Sequence, residues 1–85
     1  LVQLARLRLA SLLLDEKDYT GAMKLLDQTH DPAFAGLFAN LKGDVLAAQG
    51  KKQEALAAYK QAIERLGDKS ALRGIVEMKM DGLEG

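Results

Sequence analysis

GDVLAAQGKKQEALAAYKQA, from Gly43 to Ala62, is the stretch that decides the fold. Apolar and small residues recur at helical spacing on both sides of Gly50, and a glycine can end a helix in the left-handed conformation without steric penalty. The stretch therefore predicts two antiparallel helices joined by a tight turn. Gly43 and Ala55 are small enough to let two helix backbones approach, and Tyr59 fills the space further along.

Working outward, Asp31-Pro32 predicts where the first helix of this pair begins. Asp accepts from free amides at a helix start, and Pro at the first helical position lacks only a donor that would be orphaned anyway. That helix, the third of the chain, is expected from Pro32 to Gln49. The fourth carries Glu54, Ala55, Leu56, Ala58, Tyr59, Ala62, Ile63 and Leu66 and is closed by Gly67. Upstream, Leu4, Leu7, Leu9, Leu12, Leu13 and Leu14 give a first helix apolar on more than one face, which needs neighbours on two sides. After a polar break from Asp15 to Asp18, Tyr19, Ala22, Met23, Leu25 and Leu26 mark a second helix ending near Thr29 and His30; the short break sets the pair antiparallel. Downstream, Asp68 or Ser70 caps a fifth helix bearing Leu72, Ile75, Val76, Met78 and Met80, and the end from Asp81 is expected to fray.

The chain repeats itself. Ala22 and Ala55 stand 55 − 22 = 33 positions apart, and the same offset pairs Ala10 with Gly43, Leu13 with Leu46, Met23 with Leu56 and Leu26 with Tyr59. A helix-turn-helix unit recurring at this interval is the mark of an α-solenoid, close to the roughly 34 residues of tetratricopeptide repeats. Gly43, Gly50, Ala55, Tyr59 and Ala62 make the second unit resemble that repeat, and Ala10, Ala22, Leu26 and Thr29 do so more weakly in the first. Ala39, Lys42 and Gly67 depart from it, standing where Trp, Leu and Pro are usual. The expected fold is all-α: about five helices, in antiparallel pairs stacked as a short tetratricopeptide-like solenoid. Residues 1–30 form a divergent first repeat, 31–67 the second, and 68–85 a capping helix and tail.

Composition narrows the function. Apolar residues make up 48% and charged residues 28% of the 85, the balance of a soluble folded domain. A chain of this size buries only somewhat over about 60% of its unfolded surface, so stability leans on neighbouring segments. Residues 1–42 carry five basic and five acidic side chains and residues 43–85 seven of each. Neither half is basic enough to seek a phosphate backbone, so nucleic acid is not an expected partner. Without cysteine there are no disulfides, thiol catalysis or thiolate metal sites. The apolar opening is split by Arg6 and Arg8, and no apolar run approaches the roughly 18 residues of a membrane span. Nor does it have the order of a signal peptide, since Asp15, Glu16 and Lys17 follow where a cleavage site would stand. A start at Leu1, without Met or a helix cap, leads us to expect that the segment begins inside a larger protein.

No constellation carries reaction chemistry. His30, the single histidine, reads as an imidazole near a helix C-terminus beside Asp31, where the dipole favours a cation; a metal would need further ligands. Asp15, Glu16 and Asp18 lack calcium-loop spacing and read as a solvated loop. Ser11 and Ser70 stand in no nucleophile turn, and Ser70 reads as a cap. The eight glycines form no phosphate loop, and Lys51-Lys52 lacks the interleaved aromatics of base stacking. No enzyme and no cofactor or metal is expected.

What remains is the inner face of the first helix of each unit, which in a solenoid lines a concave groove. Leu7, Ser11 and Leu14 are placed there in the first unit and Asn40, Asp44 and Ala47 in the second, with Asn40 able to clamp a ligand backbone. Leu7 and Leu14 equally suit packing on a preceding helix. Met78 and Met80, with Ile75 and Val76, are expected to cap the fourth helix, though flexible Met also suits a surface for varied partners.

Three segments carry a closer resemblance: Arg6-Leu7-Arg8-Leu9-Ala10, Leu41 to Gly50, and Met78-Lys79-Met80-Asp81-Gly82-Leu83. Together they resemble the C-terminal part of the YfgM-like ancillary SecYEG translocon subunits. The resemblance implies a periplasmic tetratricopeptide-like domain at the bacterial inner membrane, anchored by an upstream membrane helix that this segment lacks. It implies a non-catalytic scaffold whose partners are translocon subunits, a periplasmic prolyl-isomerase-like chaperone and exported polypeptides. The alternative is a generic tetratricopeptide-type assembly module, forming a homo-oligomer through its uncapped first helix or pairing that helix with further repeats.

Overall fold

Two turns of the same build set the architecture in the computed structural model, which describes residues 2–28 and 30–84. After α1 (Val2–Asp15), the Lys17 and Asp18 amides donate to the Leu14 and Leu13 carbonyls at 2.9 and 2.8 Å; after α3 (Ala35–Ala48), the Gly50 and Lys51 amides donate to the Ala47 and Leu46 carbonyls at 3.0 and 2.9 Å. This paired pattern closes a helix around one left-handed residue. That residue is Gly50 at φ 78° in one turn and Lys17 at φ 64° in the other. α2 (Tyr19–Leu26) and α4 (Lys52–Arg65) start directly after, and α5 (Ala71–Glu84) ends the chain. The starts of α1 and α3, their ends, and the starts of α2 and α4 all differ by 33 residues, so the repeat read from side-chain size is a repeat of backbone structure.

Small residues sit where the helices cross. Ala10, Ala22 and Ala55 are fully buried and Gly43 is buried with them. A methyl group built on Gly43 would stand 2.5 Å from both Cδ1 and Cε1 of the Tyr59 ring, so α3 and α4 meet at the distance only glycine permits. Burial then organises into two apolar clusters. Ala10, Ala22, Leu26, Phe38 and Val45 form one; Leu46, Ala55, Ala58, Tyr59, Ala62 and Val76 form the other. α3 contributes to both, with Phe38 and Val45 on the first and Leu46 on the second, and is the wall shared by the two units.

Several boundaries differ from the sequence expectations. α2 stops at Leu26, where the Asp27 amide closes it on the Met23 carbonyl at 2.9 Å; Thr29 lies outside the described residues. Asp31 caps as expected, its carboxylate accepting from the Ala33 amide at 2.9 Å, but what it caps is a 3-10 turn (Pro32–Phe34) before α3 proper. Asp18 is an exposed loop residue, as expected, and does more than face solvent: its Oδ1 accepts from the Gly21 amide at 3.0 Å and caps α2. α4 ends without a left-handed glycine, because Leu66 turns extended (φ −81°, ψ 143°) and takes the chain away before Gly67. Ser70 stands directly before α5 and its carbonyl accepts from the Arg73 amide at 3.2 Å, while the Asp68 carboxylate takes the Arg73 guanidinium at 3.0 Å. The expected fraying from Asp81 is not seen through Glu84; Leu83 packs against the second cluster and holds the last turn. Gly85 lies outside the described residues.

Candidate interaction face

Asn40 and Asp44 lie one turn apart on α3, on a face that carries polar rather than core residues, and the structure brings α5 across them. Lys79 Nζ donates to Asn40 Oδ1 at 3.1 Å and to Asp44 Oδ2 at 3.1 Å, and lies 3.0 Å from Asp44 Oδ1. The Tyr59 hydroxyl of α4 donates to Asp44 Oδ1 at 2.6 Å. Burial holds the Tyr59 phenol far above its usual range, and the adjacent Asp44 acts in the same direction by hydrogen bonding and by charge. Asp44 is thus a carboxylate held from two helices and remains partly open to solvent.

The other predicted residues have different surroundings. Ser11 is exposed on α1. Leu7 and Leu14 are half-buried and pack against the first apolar cluster, and Ala47 packs against the second. His30 is not at a helix C-terminus, since α2 ends four residues earlier; its ring stacks on Phe38 with centroids 4.1 Å apart and planes 12° from parallel, and Nδ1 lies 3.1 Å from the Gln28 carbonyl. Its neighbours are those of a packed side chain. Lys79 and Tyr59 are the residues that a reading of the chain as separate helices misses at this face. One signal was available for Lys79: it shares a helical stripe with Val76, Met80 and Leu83, and a cation on a core-facing stripe calls for an acid on the opposing helix.

Electrostatics elsewhere are those of a surface. Lys42 pairs with Asp27 at 3.1 Å, and Arg73 with Asp68. No group of three or more metal-ligating side chains occurs among the described residues. No described helix is long and apolar enough to cross a membrane.

A second surface is apolar. Val2, Leu9 and Leu12 on α1 are 60%, 47% and 54% exposed. Adding 33 maps Val2, Ala5, Leu9 and Leu12 onto Ala35, Phe38, Lys42 and Val45 of α3. There Phe38 and Val45 are buried in the cluster shared with α1 and α2, and Lys42 reaches Asp27 at the end of α2. The stripe open on α1 is therefore the stripe with which α3 packs on the preceding helix pair.

Comparison with known proteins agrees with this architecture. The model of the family described as "Tetratricopeptide repeat-like domain" matches residues 1–85. A protein of Neisseria gonorrhoeae named "Ancillary SecYEG translocon subunit" is 44% identical over 81 residues, covering 95% of this chain and 39% of the relative. The chain thus spans about two fifths of the length of that relative. No solved structure matches. Two helix pairs in one 33-residue register, turned by the same hydrogen bonds and crossed at small residues, together with a family match along the whole chain, show that it belongs to the tetratricopeptide repeat-like domain family.

Proposed function

We propose that this chain is a non-catalytic protein-interaction module of an ancillary Sec translocon subunit. It acts on the periplasmic side of the bacterial inner membrane, where it contacts translocon subunits, a periplasmic chaperone and exported polypeptides. The observation that carries the reading is the identity of 44% to the ancillary SecYEG translocon subunit, sustained over nearly all of this chain. The fold supports it through what it offers: two stacked helix pairs and a partly exposed polar face of α3 at Asn40 and Asp44. Function by shape and contact fits such a surface. Photocrosslinking in cells from Ser11, Asn40 and Asp44 tests the proposal. Crosslinks to a translocon or chaperone component are the expected result, and their absence from all three positions overturns it.

The α1 stripe favours a second reading, an assembly module whose first helix pairs with another copy of the chain or with further repeats. Apolar side chains at these exposures seek cover, and the register of α3 identifies a helix pair as the kind of surface that suits them. Light scattering separates the readings: a mass above the monomer at micromolar concentration supports self-assembly, and a strict monomer opposes it.

A further inference from the structure

Asn40, Asp44 and Tyr59 together have the build of a receptor for an ammonium group. Lys79 Nζ has Asn40 Oδ1 and both Asp44 carboxylate oxygens within 3.1 Å and lies 5.8 Å from the centroid of the Tyr59 ring. An ammonium has three donors and no acceptor, which this set of oxygens answers; an aromatic face within about 6 Å adds a cation–π attraction. The receptor is preorganised without Lys79. Its three residues come from α3 and α4, the helices locked together at Gly43 and Ala55, and the buried Tyr59 ring fixes Asp44 through its hydroxyl. The ammonium is the component brought by a separate helix. α5 buries Val76 and packs Leu72, Met80 and Leu83 against the same cluster, so the helix itself stays docked while the Lys79 side chain can leave; Ile75 and Met78 are exposed. The site is also reachable, with the Lys79 and Asp44 side chains 32% and 26% exposed.

From this geometry we infer that the Asn40–Asp44–Tyr59 cage is a binding site for a lysine ammonium on a partner polypeptide, and that Lys79 occupies it in cis until such a partner displaces it. The inference rests on the reading of the chain as an interaction module and names the chemistry carried by the partner's contacting segment. Lysine is specified over arginine because the oxygens converge on a point charge, whereas a planar guanidinium asks for a side-by-side pair of acceptors. Displacement is feasible: an ion pair with this access to water contributes about 1 kcal/mol or less, so competition from Lys79 weakens an incoming lysine by up to about fivefold.

The test titrates the whole 85-residue chain with a nine-residue Ala/Ser peptide, N-acetylated and C-amidated and bearing one central lysine, and with the same capped peptide bearing norleucine, each to high millimolar concentration, followed by amide and side-chain NMR shifts. Lys79→Gln is expected to bind the lysine peptide about fivefold more tightly than the wild type, with shifts centred on the Asn40 side-chain amide and Asp44. Asp44→Asn is expected to lose that binding, and norleucine to produce none. Equal binding by wild type and Lys79→Gln overturns the inference, as does equal response to lysine and norleucine. Should the Gln variant lose helical signal, Lys79→Met repeats the comparison with the apolar stem retained. A failed titration beside intact translocon crosslinks defeats the cage alone, whereas absent crosslinks beside a working cage defeat the proposed function.

Discussion

A single missing methyl at Gly43 determines how closely α3 and α4 approach. Alanine is the better helix former by about 1 kcal/mol, which argues for a gain on Gly43→Ala. The ring it would strike cannot withdraw, because Tyr59 is buried and its hydroxyl is tied to Asp44. Overpacking costs typically about 1–3 kcal/mol, and with the ring fixed we expect the upper part of that range. The net prediction for Gly43→Ala is a loss of about 1–2 kcal/mol, read as a lower midpoint in urea denaturation; an equal or higher midpoint contradicts the helix contact. Tyr59 also makes a pH prediction. Its folded-state pKa is raised by burial first and by Asp44 second, so folding favours the neutral phenol. That contribution is complete below the unfolded value of about 10 and is lost as pH rises toward the folded value. Unfolding free energy should therefore fall above about pH 10 in the wild type, and Tyr59→Phe should remove that component. A fall of the same size in the Phe variant would assign it to other groups.

The helix endings show what a chain can and cannot advertise about its elements. Gly50 and Gly67 look alike in sequence, each directly after an apolar helical run, and both read as helix closers. Only Gly50 is left-handed, while Gly67 follows an extended Leu66 and has open space around it. Lys17 occupies the left-handed position of the first turn without any glycine to mark it; the 33-residue offset from Gly50 was the signal that reveals it. Three substitutions follow. Gly50→Ala should cost about 1 kcal/mol or more, the penalty for a Cβ in the left-handed region, equivalent to roughly 4–8 °C of melting temperature in a domain of this size. Lys17→Gly should stabilise by up to a similar amount. Gly67→Ala should be neutral or gain about 0.4–1 kcal/mol by restricting the unfolded chain. Thermal melts of the three decide the matter, and a destabilised Lys17→Gly would contradict equivalence of the turns. The number and order of the helices were legible because 3.6-residue spacing and small crossing residues are local signals. The extent of α5 was not, because the packing of Leu83 on the second cluster is a tertiary effect.

At the scale of the whole molecule, the candidate face was half legible. The repeat register brought Asn40 and Asp44 to one face, yet nothing local to residues 40–44 announces that a lysine 35 positions further on would lie across them. Covering a surface from a distant helix is a property of the stack. The same consideration governs α1. Leu9 and Leu12 occupy positions whose counterparts in α3, Lys42 and Val45, face the preceding helix pair, and Val45 is fully buried. The apolar character of α1 is thus a consequence of its place in the register rather than of its own packing, since Ala10, Leu13 and Leu14 already serve the contact with α2. Replacing both Leu9 and Leu12 by Glu should leave the melting temperature within a few degrees, because substitutions at exposed sites away from structural features usually stay within about 0.5 kcal/mol. It should also abolish any concentration-dependent rise in mass seen by light scattering of the wild type. A double variant that melts much earlier would mean that these leucines stabilise the isolated chain, and one that still associates would move the assembly surface to Ile75 and Met78 on α5.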